Sequence, residues 1–294
     1  MRVFVTGATG WVGSAVVQDL IAHGHEVLGM TRSQAGIAGL EAAGARVHHG
    51  TLEDTDSLRR GAAEADGVIH TAFNHDFSKF AENGEVEKHA IAALGAELEG
   101  SNRPLVVTSG VALLQHNGLA TEDDVAAAVG FPRDPETAVK AWSSRGVRTS
   151  IMRLSPTTHG HGDHGFVPIL IGIAREKGVA AYVGEGANRW PAVHRLDAAP
   201  LYRLALEREV GGTYHAAAEE GVPFKAIAEV IGRRLNIPVA SMSADEAAGH
   251  FGWFARFAGI DVPTSSAKTR ETLGWAPTQP ELIADLDHPA YFTA

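Results

Sequence analysis

Short runs of apolar residues, many of them β-branched, alternate with longer amphipathic stretches over residues 1–155. Six of these runs have the length of buried strands, and they predict strands at Arg2 to Thr6, Glu26 to Met30, Arg46 to His49, Gly67 to Ala72, Leu105 to Ser109 and Arg148 to Leu154. After the first run, Val12, Val16 and Leu20 recur at a spacing of four residues, which places them on one face of a helix. Strands and helices that alternate in this way predict a parallel sheet in a doubly wound α/β fold.

The pattern changes after Pro156, where glycine and histidine become dense in the segment THGHGDHG. A helix is predicted from Pro223 to Leu235, among shorter and less regular pieces. We therefore expect a larger N-terminal domain over residues 1–155, to which a later segment at about 188–215 returns, and a smaller C-terminal lobe over residues 156–294.

Aromatic residues are concentrated in one short segment of this C-terminal lobe. Phe251, Phe254 and Ala258 fall on one helical face, with Trp253 and Phe257 beside them. We interpret the stripe as part of a core. The alternative is a lid over an apolar substrate.

Composition and charge narrow the classes of function. The 294 residues carry a formal net charge of −10 without a basic cluster, which disfavours nucleic-acid binding. The chain has no cysteine, which excludes disulfides, thiolate metal sites and cysteine nucleophiles. Glycines interrupt the first apolar segment, so we expect neither a signal peptide nor a membrane span, and a cytoplasmic protein that is a monomer or homodimer.

The strongest motif is VTGATGWVG, in which Gly7, Gly10 and Gly13 lie between the first predicted strand and the first predicted helix. Glycines at such a turn permit a positive φ and let the backbone approach a pyrophosphate closely. The phosphates would then lie at the helix N-terminus, where free N–H groups favour negative charge. The position of the motif therefore predicts dinucleotide binding.

The form TGAxGxxG resembles the short-chain dehydrogenase/reductase superfamily, and further segments match that superfamily along nearly the whole chain. They are Val68 to Ala72, Val106 to Ser109, Arg153 to Pro156, Trp190 to Asp197 and Leu273 to Pro277. The last two resemble motifs of the extended branch, which includes the NAD-dependent epimerases and dehydratases. The resemblance implies a doubly wound parallel-sheet Rossmann fold over residues 1–155 and a C-terminal substrate-binding lobe.

The same resemblance, together with the glycine motif, implies the positions that contact the cofactor. They lie in the glycine turn and after the second, third, fourth and sixth strands. These positions are Thr6, Gly7, Thr9, Gly10, Trp11, Val12, Gly13, Thr31, Arg32, Ser33, Thr51, Leu52, Thr71, Ala72, Phe73 and Pro156.

The residues that end the second strand indicate which nicotinamide cofactor is bound. An acid here would accept hydrogen bonds from both ribose hydroxyls of NAD, but the chain has Thr31, Arg32 and Ser33. An arginine offers charge and several donors to a 2′-phosphate, so NADP(H) is favoured over NAD(H). The alternative is an exposed loop arginine. After the third strand, Thr51 follows a glycine where relatives often carry an aspartate that contacts adenine.

The catalytic residues that the resemblance implies are incomplete. Ser109 stands at the serine position that ends the fifth strand, but the family pattern would place a tyrosine near Ala128 and a lysine near Pro132 or Arg133. No tyrosine of the chain is followed four residues later by lysine. Carbonyl reduction needs a proton as hydride arrives, so an enzyme built on this chain needs another proton donor.

Histidines are the candidate substitutes, because they release a proton near neutral pH. His75 follows the fourth predicted strand, while His159, His161 and His164 follow the sixth, at the edge of the sheet where ligands bind in such folds. Our candidate catalytic residues are Ser109, His75, His164 and His159. The alternative is that these histidines are ordinary loop or structural residues.

Two other sets of polar residues could bind a ligand. His161, Asp163 and His164 could together bind zinc, but the interleaved glycines favour a loop that passes close to a ligand, and we expect no metal site. Residues 134–136 suit a helix N-terminus. Arg133 could bind an acidic substrate or stabilise an oxyanion, or simply lie at the start of that helix.

The sequence thus favours an NADPH-dependent oxidoreductase that reduces a small, largely apolar carbonyl or imine compound with a non-standard proton donor. The first alternative is a non-catalytic NADP-binding sensor or scaffold. A less favoured one is a nucleotide-sugar epimerase or dehydratase, because that chemistry also relies on the missing tyrosine.

Overall fold

The structure is a computed structural model, and it describes residues 1–114, 118–126 and 132–293. The strands are β1 (Arg2–Thr6), β2 (Glu26–Thr31), β3 (Arg46–His49), β4 (Gly67–His70), β5 (Pro104–Gly110), β6 (Arg148–Leu154), β7 (Thr157–His159), β8 (Ala180–Val183), β9 (Arg189–His194), β10 (Thr213–Ala216), β11 (Glu219–Pro223) and β12 (Val239–Met242). The helices are α1 (Trp11–Ala22), α2 (Gln34–Ala42), α3 (Thr55–Ala63), α4 (Phe80–Leu98), α5 (Pro135–Ser143), α6 (Phe166–Lys177), α7 (Arg195–Glu207), α8 (Phe224–Leu235), α9 (Ala244–Phe251), α10 (Ala255–Ala258), α11 (Ala267–Leu273) and α12 (Leu282–Leu286). Short 3₁₀ turns cover Phe77–Lys79, Val111–Leu113, Gly252–Phe254 and Pro289–Tyr291.

Seven of the described strands form one parallel sheet, in the order β10-β6-β5-β4-β1-β2-β3. The strand order reverses between β1 and β4, which is where ligands bind in open α/β sheets. The predicted doubly wound Rossmann fold is confirmed. The six predicted strands are all present, and the largest difference is at β4, which ends at His70 instead of Ala72.

Helices cover both faces of this sheet because its strands are apolar on both sides. Along β1, Val3 and Val5 pack in one core with Val16 of α1 and Tyr202 of α7, whereas Phe4 points to the opposite core against α3 and α4. This alternation is the two-residue period of a strand. Residues 3–6 of β1 are buried, and they hold the turn that follows in a fixed position.

The later part of the chain contributes to two cores. Helix α7 packs on α1, which covers one face of the large sheet. Strand β10 pairs in parallel with β6 and is an edge strand of that sheet. Strands β11, β9 and β7 form a small sheet and β12 pairs with β8, and the helices around them enclose a second core.

The predicted aromatic stripe lies partly inside this second core. Phe251, Phe254 and Ala258 are buried, as the core interpretation requires, whereas Trp253 is exposed and Phe257 half-buried. Across the described residues, no helix combines the length and apolar character that crossing a membrane requires.

Candidate active site

The glycine turn between β1 and α1 leaves no room for side chains. Gly7 has φ +67°, and a Cβ added there would lie 2.7 Å from the amide nitrogen of Ala72. A Cβ added at Gly13 would lie 2.0 Å from the Gly7 carbonyl oxygen, which also accepts a hydrogen bond of 2.9 Å from the Gly10 N–H. The glycines therefore fold the turn tightly and let α1 pack close to the end of β4.

The N-terminus of α1 is suited to bind an anion. Gly10 is its N-cap residue, no side chain caps the helix, and the first turn carries no acidic residue. Thr9 and Gly10 are exposed, so the first N–H groups of the helix are accessible from outside. These groups and the helix dipole together fit a phosphate group.

The end of β2 presents a positive charge at the same edge of the sheet. Thr31 is buried, but Arg32 and Ser33 are exposed. The Ser33 hydroxyl accepts a hydrogen bond of 3.1 Å from the Gly36 N–H and so caps α2. Within the described part of the chain, Arg32 forms no salt bridge, and its guanidinium is available to an anion.

Residues at and after the end of β4 form hydrogen bonds with Thr6 and contact the glycine turn. The Thr71 hydroxyl donates to the Thr6 carbonyl oxygen at 2.8 Å, and the Thr6 hydroxyl lies 2.8 Å from Nδ1 of His70. Burial, together with the charge of Arg133, lowers the pKa of His70 to about 3, so this histidine is neutral. The hydrogen bonds of Thr6 and Thr71 thus help to hold the turn in its conformation, and Ala72 lies directly against Gly7.

Ser109, at the end of β5, is part of a buried ionic network. Its hydroxyl donates to Oε1 of Glu136 at 3.0 Å, and Nε and Nη2 of Arg153 donate to the two oxygens of the same carboxylate at 2.7 and 2.8 Å. Ser109 and Glu136 are 2% exposed and Arg153 is 1% exposed. Arg153 also donates to His215 and to backbone carbonyls of residues 122 and 124.

The protonation states in this network determine which way the Ser109 hydrogen points. Burial alone would raise the pKa of Glu136, but the bonds and charge of Arg153 and the bond from Ser109 hold that pKa below its ordinary value. Nδ1 of His215 donates to the Ser265 carbonyl oxygen, so Nε2 accepts from Arg153. Because an ionised carboxylate only accepts, the Ser109 hydrogen is directed at Glu136.

Sequence reasoning did not single out Glu136 as a partner of Ser109. Glu136 and Lys140 are spaced by four residues on α5, and their charged groups lie 3.4 Å apart. The same spacing separates tyrosine and lysine in the superfamily pattern, and it was the available signal. The start of α5 is confirmed, since Asp134 caps it through the Thr137 N–H and Pro135 is its first residue. The position near Ala128 predicted for the tyrosine lies outside the described residues.

Two of the candidate histidines, His75 and His164, are exposed, and His164 contacts the first residue of α1. The ring of His164 is 5.7 Å from the ring of Trp11, edge to face. Partial loss of hydration lowers the pKa of His75, and the charges of Arg133 and His164 lower it further. Both histidines are exposed at the surface of the site. They come from the loops after β4 and after β7.

Trp11 connects the glycine turn to the loop that carries His164. Its indole Nε1 donates to the Thr158 carbonyl oxygen at 2.7 Å, and the Arg195 guanidinium lies 4.2 Å above its ring. Since Trp11 is the first residue of α1, this contact fixes the loop relative to the predicted phosphate site.

The remaining side chains of the histidine-rich segment point elsewhere. His159 is 1% exposed, and its Nδ1 lies 2.8 Å from Asp285. His161 stacks on His288 at 4.1 Å, and Asp163 accepts from the Gly165 N–H at 2.7 Å. Over the part of the chain that the structure describes, no three His, Cys, Asp or Glu side chains converge as metal ligands.

An apolar surface borders His75, and we call it the aromatic wall. It consists of six aromatic rings from the segment between β4 and α4, from the first residues of α4 and α6, from the turn before α10 and from α10 itself. They are Phe73, Phe77, Phe80, Phe166, Trp253 and Phe257. The His75 ring lies 5.2 Å from Phe73 and 6.2 Å from Phe77.

Arg133 contacts this wall through Phe73 and is paired with Glu87. Its guanidinium donates to both oxygens of Glu87 at 2.7 and 2.8 Å, and it covers the face of Phe73 at 4.2 Å. Burial raises the pKa of Glu87, and the bonds from Arg133 oppose that rise. The arginine thus joins α4, α5 and the end of β5.

A parallel sheet with a glycine-rich turn at the start of α1 defines the class of Rossmann-fold nucleotide-binding proteins. Comparison with known proteins then identifies the family. The model of the NAD dependent epimerase/dehydratase family matches residues 3–94. An uncharacterised protein of Schizosaccharomyces pombe is 52% identical over 99% of this chain and all of the relative. The chain belongs to the NAD-dependent epimerase/dehydratase family, the extended branch of the short-chain dehydrogenases/reductases.

More distant relatives include a ketoreductase. The 4-hydroxy-2-methyl-3-oxo-4-farnesyl-3,4-dihydroquinoline-1-oxide ketoreductase of Stigmatella aurantiaca is 26% identical over 94% of this chain and 92% of that protein. Among solved structures, that of MoeE5 in complex with UDP-glucose and NAD superposes with a TM-score of 0.78 at 18% identity, covering 100% of this chain and 98% of MoeE5. This structural likeness confirms the fold. The family and its members support an enzyme of the oxidoreductase and epimerase kind.

Proposed function

We propose that the protein is an NADPH-dependent reductase of a small, largely apolar carbonyl or imine compound, with histidine as proton donor. The observation that carries the proposal is that His164 lies against Trp11 of the glycine turn, while His75 lies against the aromatic wall. Reduction of a C=O or C=N bond needs an acid beside an apolar pocket and a nucleotide site, and these side chains border both.

The sheet edge fits a nicotinamide dinucleotide. The uncapped N-terminus of α1 suits a pyrophosphate, and exposed Arg32 suits a 2′-phosphate, which supports NADPH over NADH. When bound, such a cofactor supplies the hydride. Residues at the other strand ends, including Thr51, Leu52 and Pro156, are half-buried along the same edge and complete the proposed contact surface.

The proposed proton donors are His75 and His164, because both are exposed at the site. His159 is buried on Asp285, and the Ser109 hydrogen is directed at Glu136, so neither side chain is placed to give a proton to a substrate here. A lowered pKa makes the protonated form of His75 the stronger acid, at the cost of a smaller protonated fraction at neutral pH.

The relatives support this class of reaction. The Stigmatella aurantiaca protein is named as a ketoreductase, and its named substrate is a farnesylated dihydroquinoline oxide, a fused ring system with an apolar chain. By its title, MoeE5 binds UDP-glucose. A nucleotide sugar is less favoured here, because epimerase chemistry would also need the missing tyrosine.

The test is NADPH oxidation followed at 340 nm with a panel of aldehydes, ketones and imines. We expect turnover by the unmodified protein and a large loss in both His75→Ala and His164→Ala. His89→Ala is the matched control, because His89 is exposed on α4 away from the site. Binding of NADPH with no turnover of any compound would overturn the proposal.

A second candidate function is a non-catalytic NADP-binding sensor or scaffold. It is favoured because the Ser109 hydroxyl donates its hydrogen to Glu136. The hydrogen is then not available to orient a substrate carbonyl, which is the role that the superfamily pattern implies for this serine. Turnover that disappears in the histidine variants would exclude it. A cytoplasmic location and a monomeric or homodimeric state stay predictions.

A further inference from the structure

The loop that carries His164 is built round two glycines. Gly160 has φ +147° and Gly162 has φ +86°, and side-chain-bearing residues rarely adopt either conformation. We call residues 160–164 the histidine loop. Because glycine leaves the backbone free to take many conformations, the position of His164 depends on the contacts that this loop makes with the rest of the protein.

Two hydrogen bonds hold the backbone where the histidine loop begins. The Trp11 indole donates to the Thr158 carbonyl oxygen at 2.7 Å, and the Gly160 N–H donates to the hydroxyl of Tyr291 at 2.9 Å. Trp11 is the first residue of α1, whereas Tyr291 ends the 3₁₀ turn that follows α12. The start of the loop is therefore held between the glycine turn and the end of the C-terminal lobe.

Asp285 fixes the orientation of the Tyr291 hydroxyl, which donates to its Oδ2 at 2.6 Å. Burial alone would raise the pKa of Asp285, but the bonds from His159 and Tyr291 hold that pKa below its ordinary value. Burial and the bond to Asp285 raise the pKa of Tyr291, so the phenol keeps its hydrogen. An ionised carboxylate only accepts, and the hydroxyl oxygen is thereby left to accept from the Gly160 N–H.

The carboxylate of Asp285 also contacts the residues on either side of Gly160. Its Oδ2 lies 2.8 Å from Nδ1 of His159, and its Oδ1 lies 3.4 Å from Nε2 of His161. Asp285 is 5% exposed, and it belongs to α12, whose two leucines are fully buried in the second core. Three consecutive residues are thus fastened to one buried helix.

The bond at Gly160 affects the conformation of the whole loop. The Gly160 carbonyl oxygen accepts from the Asp163 N–H at 3.1 Å, and the Asp163 carboxylate accepts from the Gly165 N–H at 2.7 Å. His164 stands between these two residues, and its ring lies 5.7 Å from that of Trp11. Loss of the bond to Tyr291 would release the glycine from which this turn starts.

We propose that Tyr291 is a positioning residue of the reduction, whose hydroxyl holds Gly160 so that His164 stays against Trp11. This inference rests on the proposed function and adds to it a residue from the end of the C-terminal lobe. Tyr291 acts through the loop backbone, because a proton donor works only when it is held in the productive geometry.

The test is Tyr291→Phe, which keeps the ring and removes both hydrogen bonds of the hydroxyl. Tyr182→Phe is the matched control, because Tyr182 is a half-buried tyrosine elsewhere in the C-terminal lobe. NMR follows the ring signals of His164 and the indole N–H signal of Trp11, assigned with His164→Asn and Trp11→Phe. We expect both sets of signals to shift in Tyr291→Phe and to stay in place in Tyr182→Phe.

Steady-state kinetics supply the second readout. In Tyr291→Phe the turnover number should fall roughly fivefold to tenfold, while the KM for NADPH stays within about twofold. His164 signals that do not move, or an unchanged turnover number, would overturn the inference. A lower melting temperature with neither change would give Tyr291 a purely structural role and would overturn it as well.

Hydrogen exchange of the Gly160 amide in the unmodified protein keeps the inference testable if Tyr291→Phe does not fold. A protected amide is expected, and exchange as fast as in an unstructured chain would overturn the inference. Absence of NADPH oxidation by the unmodified protein would count against the reductase, and the NMR signals would then still decide whether Tyr291 holds the loop. Turnover without the NMR shifts would do the reverse.

Discussion

The hydroxyl of Ser109 donates its hydrogen to Glu136 over 3.0 Å, and both side chains are 2% exposed. In the superfamily pattern, a serine at this position orients the substrate carbonyl. Here its hydrogen is already used, and Arg153 keeps the accepting carboxylate ionised. The end of β5 is therefore stabilised by a buried ion pair, and the proposed reduction needs an acid from another loop.

Ser109→Ala is expected to reduce stability more clearly than it reduces the rate. It removes one hydrogen bond to an ionised group, which contributes about 1.5–3 kcal/mol. Chemical denaturation measures the loss, and the rate of NADPH oxidation should fall by no more than about tenfold. A rate loss above about a hundredfold at unchanged stability would instead give Ser109 a direct catalytic role.

Arg32→Ala is expected to weaken NADPH binding selectively. Loss of charge-assisted bonds to a 2′-phosphate should raise the dissociation constant of NADPH by roughly 10- to 100-fold, while that of NADH changes little. Isothermal titration with both nucleotides gives the comparison, with Arg59→Ala, an exposed arginine on α3, as control. An equal change for both nucleotides would remove Arg32 from 2′-phosphate recognition.

Trp11→Phe tests the link between the glycine turn and the histidine loop. The variant keeps a ring but loses the bond to the Thr158 carbonyl oxygen, worth about 1 kcal/mol. We expect NADPH affinity to stay within about threefold and the turnover number to fall about fivefold. The NMR signals of the His164 ring should also shift. A variant that loses NADPH affinity but retains its turnover number would contradict the assigned role.

Asp163→Asn is expected to stabilise the protein at neutral pH. Burial, opposed in part by the Gly165 N–H, raises the pKa of Asp163 from 3.8 to about 6. The folded protein therefore binds this proton more tightly than the unfolded chain, and wild-type stability falls as the pH rises from about 4 to 6.

The asparagine variant keeps the acceptor for the Gly165 N–H without the cost of ionisation. At pH 7 it should be more stable by up to about 3 kcal/mol, and the difference should vanish near pH 4. Urea denaturation across this range measures it. An asparagine variant that is less stable than the wild type at pH 7 would contradict this account, because it would show that the ionised carboxylate stabilises the fold.

The sheet could be read from the sequence because its determinants are local. The stripe of Val12, Val16 and Leu20 and the apolar run of Val3 to Val5 carry their own periodicity, and the structure packs both into the cores that flank the sheet. The glycine turn could also be predicted from the sequence, since the spacing of its glycines and its position between a strand and a helix are both visible there.

The arrangement of polar side chains could not be read in this way. Glu136 and Arg153 are distant in the chain, and only the packing of α5 against β6 brings them together. Within the histidine-rich segment, Gly160 with φ +147° and Gly162 with φ +86° redirect the backbone, so that His159 turns inward and His164 outward. The division into two domains stays a prediction, although α7 and β10 return to the large sheet.

The central claim, that a histidine supplies the proton, is tested most directly by the pH dependence of NADPH oxidation at saturating NADPH and substrate. A lowered pKa of His75 predicts a rate that rises as the pH falls towards and below 6.5, because the protonated form is the acid. His75→Asn and His164→Asn should flatten this profile, and His89→Asn should not. A profile that is flat in the wild type, or that is unchanged in both site variants, would contradict the account.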